Sequence, residues 1–314
     1  MHVTDNLTKR VKRGLMWAAG LLIALIVCYN LLSFRAVLKD GTSAPRDPET
    51  GIMLGAEPVR IDRGRRRACV LLHGWLTTPA DFGALPQALD AAGWDVYAPL
   101  QAGHGTCPAN LRGVTADDLL CTARRQYREV RERYDEVALV GFSMGGAIAT
   151  IFAGDEAVDK PDRLALVAPY YAVRHHWHYV LPARWWSRLT SPALRYAWRG
   201  RIGVSVNRKE GRGEVLFYTA FPTSADRALF AIRRRMIERA APERVTMPVL
   251  LLCSTADHVS SLRAAEDVFA RFPSADKRMV VFNRSDHHIL HDYDRAEAIE
   301  AIVRFLEPDG DGKH

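Results

Sequence analysis

Residues 136–150 read EVALVGFSMGGAIAT, and this stretch decides the fold of the chain. Its first half is an apolar run typical of a buried strand, and its second half has the composition of a buried helix. At the junction, Gly141, Ser143 and Gly145 fit the pattern G-x-S-x-G, whose small residues relieve crowding in a sharp strand-to-helix turn. We expect this turn to expose the Ser143 hydroxyl at the carboxyl end of its strand, where open parallel sheets bind ligands.

On both sides of this turn, short apolar runs alternate with helical patterns. Strands are predicted at residues 68–72, 94–99, 136–141, 163–168, 248–253 and 277–282. Helices are predicted at residues 79–92, 115–134, 144–153, 261–272 and 294–306. Strands that alternate with helices predict βαβ units, and therefore an α/β fold with a mainly parallel sheet covered by helices on both faces. The alternation stops between about residues 170 and 240, which we interpret as an inserted cap.

A serine hydroxyl is a weak nucleophile and needs a general base that a carboxylate holds in place. Asp257 and His287 each follow a predicted strand, so both should lie at the sheet edge that carries Ser143. The chain order of serine, aspartate and histidine fits the order found with this kind of turn. We therefore predict that Ser143, Asp257 and His287 are the catalytic residues. The adjacent His288 is an alternative base, whereas Asp286 is a poor alternative acid because it cannot easily orient its neighbour's ring.

Attack of a serine on a carbonyl creates an anionic intermediate, which needs backbone N–H donors aimed at the developing charge. The residue after the nucleophile, Met144, is expected to supply one donor. We assign the second donor to Trp75, in the loop that follows the first apolar run. His73 and His104 also lie in loops, and we interpret both as structural histidines.

The first forty residues differ in character from the rest. Residues 14–34 form an uncharged apolar run of the length that crosses a membrane as a helix. Four lysines and arginines at positions 9–13 precede this run and favour a cytoplasmic N-terminus. We therefore predict a single-pass anchor at residues 1–40, with an extracytoplasmic catalytic domain that is periplasmic if the cell is Gram-negative. A cleaved signal peptide is the alternative, although its apolar region is usually shorter, about 7–15 residues.

The remaining chain divides by composition and pattern. Residues 41–54 are rich in Pro, Gly, Thr and Ser, which predicts a linker. The predicted core comprises residues 55–169 and 241–308, which flank the cap at 170–240, and residues 309–314 form a tail. With 48% hydrophobic and 25% charged residues, the chain has an ordinary globular composition that excludes disorder or collagen as a description of the whole.

The charge and the cysteines limit the possible partners. The formal net charge of +7 is spread over many arginines, so it favours an anionic membrane surface and does not predict nucleic-acid binding. The five cysteines lack the paired spacing of metal ligands, and we predict neither a metal nor a cofactor. Cys107 and Cys121 flank one loop-to-helix segment, and the sequence leaves open whether they form a disulfide.

Five segments together resemble the signature blocks of a known family. They are LLHGWLTTPADF (71–82), PLQAGHGTCP (99–108), VGFSMGGAIA (140–149), STADHV (254–259) and SDHHILHDYDR (285–295). These blocks are similar to those of bacterial carboxylesterases and monoacylglycerol lipases in the α/β-hydrolase superfamily. The resemblance implies an α/β-hydrolase fold, hydrolysis of carboxylic esters through an acyl-enzyme, and oxyanion donors at Trp75 and Met144. Trp75 stands where that family more usually has Phe.

The resemblance also separates the two adjacent histidines. Ser143 matches the family's nucleophile, and Asp257 matches its acid. The segment Asp292-Tyr293-Asp294 matches the end of the family's block around the base, which places the base at His287. His288 then stands where the family has an apolar residue.

The predicted cap has an unusual composition. Residues 163–209 contain no Asp or Glu, and within this range tryptophans are interleaved with arginines. Because such a mixture suits a membrane interface, one hypothesis is that the cap lies on the bilayer and admits lipid-like acyl esters. The other is an aromatic lid packed over the active site, with its basic face in water. Two alternative functions remain, a thioesterase or acyltransferase with the same residues and a non-catalytic membrane-anchored binding protein.

Overall fold

The computed structural model describes residues 2–156, 159–174, 177–178, 181–200, 204–239 and 241–307. The predicted tail at 309–314 and parts of the predicted cap lie outside these residues. In chain order the strands are β1 (Val59–Ile61), β2 (Arg67–Leu72), β3 (Asp95–Ala98), β4 (Glu136–Phe142), β5 (Arg163–Val167), β6 (Trp177–His178), β7 (Leu181–Pro182), β8 (Tyr196–Trp198), β9 (Ala220–Pro222), β10 (Val249–Ser254) and β11 (Lys277–Phe282). The α-helices are α1 (His2–Asp40), α2 (Leu85–Ala91), α3 (Ala116–Arg131), α4 (Met144–Gly154), α5 (Ala183–Thr190), α6 (Asp226–Glu238), α7 (Leu262–Ala270) and α8 (Arg295–Leu306).

The main sheet contains seven strands in the order β1-β3-β2-β4-β5-β10-β11. All neighbouring pairs are parallel except β1 with β3, which is antiparallel. Alternate side chains of β4 face opposite layers, because Val137 and Leu139 pack with α3 and α4 while Ala138 and Val140 pack with α2 and α8. The predicted α/β architecture, with helices on both faces of a mainly parallel sheet, is confirmed. The loops after β2, β4, β10 and β11 all leave the carboxyl edge, which brings the predicted site residues to one place.

Residues 79–92 form two short helices where the sequence predicts one. A 3-10 turn at Pro79–Phe82 is followed by α2 at Leu85–Ala91. Gly83 separates them with a positive φ of 51°, and a Cβ there would lie 3.1 Å from the carbonyl oxygen of Leu290. At this break, the loop after β11 packs directly against the loop that begins at residue 73.

The stretch at 41–54, predicted to be a linker, is packed against the domain. Met53 is fully buried, and its N–H donates to the carbonyl oxygen of Gly105 at 2.7 Å. The Asp47 carboxylate accepts the N–H of Thr50 at 2.7 Å and closes a turn in this stretch. Residues that are common in linkers also build ordered turns, so a linker-like composition does not distinguish a linker from a packed segment of this kind.

The chain between β5 and β10 contains α5, α6 and the antiparallel hairpin of β8 and β9. Helix α6 was not among the predicted helices, although its buried residues Ala228, Ile232 and Met236 recur every fourth position. These side chains pack into the same layer as α3 and α4. The last part of the predicted cap is therefore joined closely to the core.

Helix α1 contains a segment, Arg10–Leu38, that is long and apolar enough to cross a membrane, and its most apolar 18-residue window has a mean hydropathy of 2.2. This assignment rests on length and composition alone. A signal sequence near the N-terminus meets the same criteria. The most apolar window of this segment is not buried by the rest of the chain.

The cysteines are all free thiols, including Cys107 and Cys121. Cys69 in β2 and Cys253 in β10 are buried core residues, whereas Cys28 in α1 is exposed. Burial raises the pKa of the Cys253 thiol to about 12, and it also raises the pKa of the Cys69 thiol. Neither buried thiol is therefore a competing nucleophile at neutral pH.

Candidate active site

Ser143 occupies a sharp turn between β4 and α4, with φ 51° and ψ −114°. A positive φ in a residue with a side chain costs roughly 1–3 kcal/mol, so the surrounding structure must hold it. The Ser143 N–H donates to the carbonyl oxygen of Val167 at 3.0 Å. A Cβ on Gly145 would lie 1.8 Å from the carbonyl oxygen of Leu72, and one on Gly141 would lie 2.5 Å from the carbonyl oxygen of Gly145. Both glycines are therefore required for the turn, as the sequence pattern predicts.

A chain of hydrogen bonds links the three predicted catalytic side chains. His287 Nε2 lies 2.9 Å from Ser143 Oγ, and His287 Nδ1 lies 2.8 Å from Asp257 Oδ2. The other Asp257 oxygen accepts the N–H groups of Val259 and Ser260 at 2.7 and 2.8 Å. Burial alone would raise the pKa of Asp257, but the His287 charge and these hydrogen bonds lower it overall. With Asp257 ionised, His287 carries its proton on Nδ1 and leaves Nε2 to accept the serine proton.

The alternative residues adopt other roles. His288 points one ring nitrogen at a carbonyl of the cap chain, and its Nε2 lies 3.6 Å from Asp81 Oδ1. Burial lowers the pKa of His288 well below its usual value, so its ring is neutral. Asp286 accepts the backbone N–H of His287 at 2.7 Å and the backbone N–H of His258 at 2.8 Å. The structure therefore brings His287, and not His288, to Ser143.

The two predicted oxyanion donors lie in the turn after β4 and in the loop after β2, both at the carboxyl edge of the sheet. Met144 is the first residue of α4, so its N–H has no intrahelical acceptor. Trp75 lies in the loop after β2, and the Asp81 carboxylate anchors this loop. Asp81 Oδ2 accepts the Gly74 N–H at 3.0 Å and the Thr77 hydroxyl.

Asp81 is a buried carboxylate that the sequence did not single out. Burial raises its pKa to about 6, against the opposing effect of hydrogen bonds from Thr77 and Gly74. Its Oδ1 and the Nε2 of His288 face each other at 3.6 Å, too far for a hydrogen bond. Neither atom has a hydrogen-bond partner among the described residues. A proton on Asp81 Oδ1 would let these two atoms form a hydrogen bond, which agrees with the raised pKa.

Trp75 connects this loop to the cap. Its indole N–H donates to Asp226 Oδ1, at the start of α6, over 3.3 Å. Burial raises the pKa of Asp226 to about 6, although the bond from Trp75 opposes the shift. Sequence reasoning missed Asp226, because no local motif relates two residues so far apart in the chain.

The loop histidines act as structural residues, as interpreted from the sequence. His73 Nε2 accepts the backbone N–H of Gln101 at 2.9 Å, and its Nδ1 lies 2.9 Å from the Gly74 carbonyl oxygen. The His104 ring packs edge-on against Trp75 with a centroid separation of 5.2 Å. Burial lowers the pKa of His104 to about 4 and that of His73 well below its usual value, so both rings are neutral.

A mainly parallel sheet with a serine on a sharp strand-to-helix turn, in contact with a histidine and a carboxylate, defines the α/β-hydrolase class. The comparison with family models agrees, because the model described as serine aminopeptidase S33 (Hydrolase_4) matches residues 63–294. The chain belongs to this family of α/β-hydrolases. Helix α1 lies outside the matched residues.

Similar proteins are ester hydrolases by name. A thermostable monoacylglycerol lipase from Bacillus sp. (strain H-257) is 27% identical over 81% of this chain and 96% of its own length. A pimeloyl-acyl-carrier-protein methyl ester esterase from Aromatoleum aromaticum is 30% identical over 75% of this chain and 97% of its own length. Among solved structures, one described with two metagenome-derived lipolytic enzymes has a TM-score of 0.71 at 25% identity, covering 81% of this chain and 99% of its own. The protein is thus a hydrolase of the lipase and esterase kind.

Proposed function

We propose that this protein is a membrane-anchored serine hydrolase that cleaves lipid-like carboxylic esters through an acyl-enzyme. The observation that carries the proposal is the hydrogen-bonded chain from Ser143 to His287 to Asp257, with separations of 2.9 and 2.8 Å. Both distances fall within the range expected for a nucleophile, its general base and the group that orients the base. All three side chains are buried, so bulk water weakens neither contact.

The reaction follows from these positions. Ser143 Oγ attacks the ester carbonyl carbon while His287 Nε2 takes the hydroxyl proton, and Asp257 stabilises the resulting imidazolium. When the tetrahedral intermediate collapses, the ester C–O bond breaks and His287 returns the proton to the departing alcohol. Water then attacks the acyl-enzyme with His287 as base, which releases the carboxylic acid and restores the Ser143 hydroxyl.

In this mechanism, the backbone N–H groups of Met144 and Trp75 bind the oxyanion. Loss of one such donor typically costs about 2.7–4 kcal/mol of transition-state stabilisation. The bonds from Gly74 and Thr77 to Asp81 support this role, because they fix the loop before substrate arrives. Preorganisation of this kind avoids rearrangement during the reaction.

The choice of an ester rests on the relatives, which carry the names monoacylglycerol lipase and methyl ester esterase. A lipid-like acyl group agrees with the apolar α1 helix, which would hold the enzyme at a membrane. The basic residues before the span favour a cytoplasmic N-terminus and an extracytoplasmic catalytic domain. The family description names an aminopeptidase, so peptide hydrolysis is the competing result to be tested.

The test is labelling of the full chain with a fluorophosphonate, together with turnover of p-nitrophenyl esters from acetyl to palmitoyl. Ser143→Ala should abolish labelling and lower ester turnover at least about 10⁴-fold. Ser274→Ala is the matched control, because Ser274 is buried and its hydroxyl donates to a nearby acceptor in the chain, the carbonyl oxygen of Asp276. Aminoacyl p-nitroanilides and acyl thioesters are assayed in parallel. Faster turnover of either than of every ester would contradict the proposed substrate class, and absence of labelling in folded wild type would contradict the mechanism.

A further inference from the structure

The outer end of α1 does not project freely from the domain. Ser33 and Val37 lie one turn apart on one face of the helix, and both are buried. Val37 forms an apolar cluster with Tyr196 of β8 and Ala220 of β9. The Phe34 ring also lies near the Tyr196 ring, with a centroid separation of 6.3 Å. The last turns of the predicted anchor are therefore packed against the β8–β9 hairpin of the cap.

Asn30 fixes the position of this contact. Its Nδ2 donates to the carbonyl oxygen of Ala193 at 2.8 Å, and its Oδ1 accepts the N–H of Arg195 at 2.8 Å. Nδ2 also donates to the carbonyl oxygen of Ile26, one turn earlier in α1. One amide thus satisfies both a donor and an acceptor of the cap backbone. A polar side chain within a membrane span is costly unless it is paired, so these bonds give Asn30 a structural role.

The depth of this contact follows from helix geometry. Residues 14–34 carry no charge and, at 1.5 Å per residue, span about 31 Å as a helix, close to the thickness of a hydrocarbon core. Asn30 lies four residues before the end of this stretch, or about 6 Å inside the outer boundary. The cap backbone that it binds must lie at the same depth.

The surfaces around the contact agree with this depth. On the side of α1 that faces away from the cap, Leu31, Leu32 and Leu38 remain exposed. Along α1 these residues lie at the same level as the contact of Asn30 and Val37 with the cap, so a bilayer that covers them reaches the level of the cap. Water is an unfavourable solvent for so much contiguous apolar surface.

The cap presents a matching surface of its own. Trp185 and Leu189 lie one turn apart on α5 and are both exposed, and Trp198 on β8 is 63% exposed. Arg188 and Arg195 are exposed among them. Apolar rings with arginines, in a stretch of the sequence without acidic residues, complement a bilayer with anionic headgroups.

We infer that the cap is a membrane-inserted surface, docked on the anchor by Asn30 and sunk about 6 Å into the outer leaflet of an anionic bilayer. This inference rests on the proposed membrane anchoring and adds where the domain sits. The inserted surface is linked to the active site through the chain segment that includes Tyr218. On one side of this segment, the Thr219 N–H donates to the carbonyl oxygen of Gly41 at 3.0 Å. On the other, the Tyr218 N–H donates to that of Leu76, next to the oxyanion donor Trp75, at 2.9 Å.

Depth-dependent quenching tests the insertion. The full chain, with its accessible cysteines at positions 28, 107 and 121 replaced by serine, carries a single bimane label and is reconstituted in vesicles of phosphatidylglycerol and brominated phosphatidylcholine. Labels at Leu189→Cys and Trp198→Cys report on the cap, a label at Leu22→Cys reports on the span, and one at Glu129→Cys reports on an exposed face of α3. The bromines should quench the cap and span labels at least about twofold, since an inserted face lies within 5–10 Å of the acyl chains, and should leave the label on α3 unchanged.

Each outcome separates the inference from the proposal on which it rests. Quenching at Leu22 without quenching at Leu189 and Trp198 would mean that the cap stands clear of the bilayer, and the inference would be wrong while the anchor remained. Absence of quenching at Leu22 would overturn the anchor itself. Esterase activity of each labelled protein on a soluble p-nitrophenyl ester is recorded separately, so that a failed ester hydrolase is recognised as such.

A functional test uses Asn30→Leu, which keeps the helix apolar and removes both bonds to the cap. Because two hydrogen bonds hold the contact, turnover of monoacylglycerol in vesicles should fall about tenfold, while turnover of soluble p-nitrophenyl butyrate stays within about twofold. Leu32→Ala, on the exposed side of α1, is the matched control and should change neither rate. An equal loss on both substrates in Asn30→Leu would contradict a role in positioning the cap at the membrane.

Discussion

Asp81 is a buried carboxylate that binds the loop carrying Trp75, and Asp81→Asn tests how this loop is held. One oxygen of Asp81 accepts the Gly74 N–H and the Thr77 hydroxyl, and the other faces His288 Nε2 without a hydrogen bond. An asparagine can keep its carbonyl oxygen toward Gly74 and Thr77. Its amide can then donate to His288, where the carboxylate has no proton to offer. We expect the variant to retain the loop and to be more stable at alkaline pH.

The magnitude follows from the pKa of Asp81. Burial raises this pKa from 3.8 to about 6, so the folded protein binds more protons than the unfolded chain between these two values. The stability contributed by the protonated acid is fully present below pH about 4 and is lost as the pH rises through about 6. At about 1.36 kcal/mol per unit, the loss approaches 3 kcal/mol at pH 8. Asparagine does not titrate, so Asp81→Asn should gain up to that amount at pH 8 and much less at pH 5.

The assay is thermal unfolding of the detergent-solubilised full chain at pH 5 and pH 8, with p-nitrophenyl butyrate turnover measured in parallel. A gain of 1 kcal/mol corresponds to roughly 2–4 °C for a domain of this size. Asp81→Ala is the contrasting variant, because it leaves Gly74 and Thr77 without an acceptor, at about 1–3 kcal/mol each. It should also lower kcat, by up to about 10²–10³-fold if the Trp75 donor is lost. Equal destabilisation of Asp81→Asn at both pH values would refute the reasoning, since the carboxylate would then be stabilising.

Three further changes have definite expected results. Asp257→Asn should lower kcat for p-nitrophenyl butyrate about 10⁴-fold with little change in folding, because the histidine loses the partner that sets its tautomer; a loss below tenfold would contradict the assigned acid. Gly145→Ala should prevent folding, because the new Cβ would lie 1.8 Å from a carbonyl oxygen of β2. Gly213→Ala is the control: a Cβ there has no atom within 4 Å, so this variant should express and unfold like wild type. Trp75→Phe keeps the backbone donor, so activity should remain within about tenfold, while stability at pH 8 falls by about 1–3 kcal/mol because Asp226 loses its hydrogen bond. That loss should shrink below pH about 6, where Asp226 is protonated, and a pH-independent loss in thermal unfolding would count against this explanation.

The inner strands β2, β4, β5 and β10 were predictable because they are buried along almost their whole length and are therefore apolar in sequence. Strand β11 has the predicted bounds, and β10 differs from its prediction by one residue at each end. Strand β1 was not predicted, because three residues that include a charged Arg60 carry little hydrophobic pattern. It forms through its antiparallel pairing with β3, which is a tertiary contact and not a local preference.

Ser143, Asp257 and His287 were predictable from the sequence, because a local motif and the order of residues along the chain identify them. The pattern around Ser143 specifies a backbone turn, and the order of Asp257 and His287 after two strands brings them to the same edge. Asp81 and Asp226 could not be found in this way, since their significance lies in burial and in partners far away in the chain. Helix α6 was within reach, because its apolar residues recur at every fourth position.

The way α1 ends on the cap also matters for anyone who wishes to purify a soluble fragment. Cutting the chain after residue 40 removes Asn30 and Val37 together with the hydrophobic span. The backbone groups at Ala193 and Arg195 would lose their partners, and the apolar patch at Tyr196 would be laid bare. Exposed apolar patches favour self-association, so the truncated protein should aggregate more readily. Its cap should also be more mobile, because it has lost the contacts with α1. The part of the chain that packs as the catalytic domain therefore begins within α1, before residue 40.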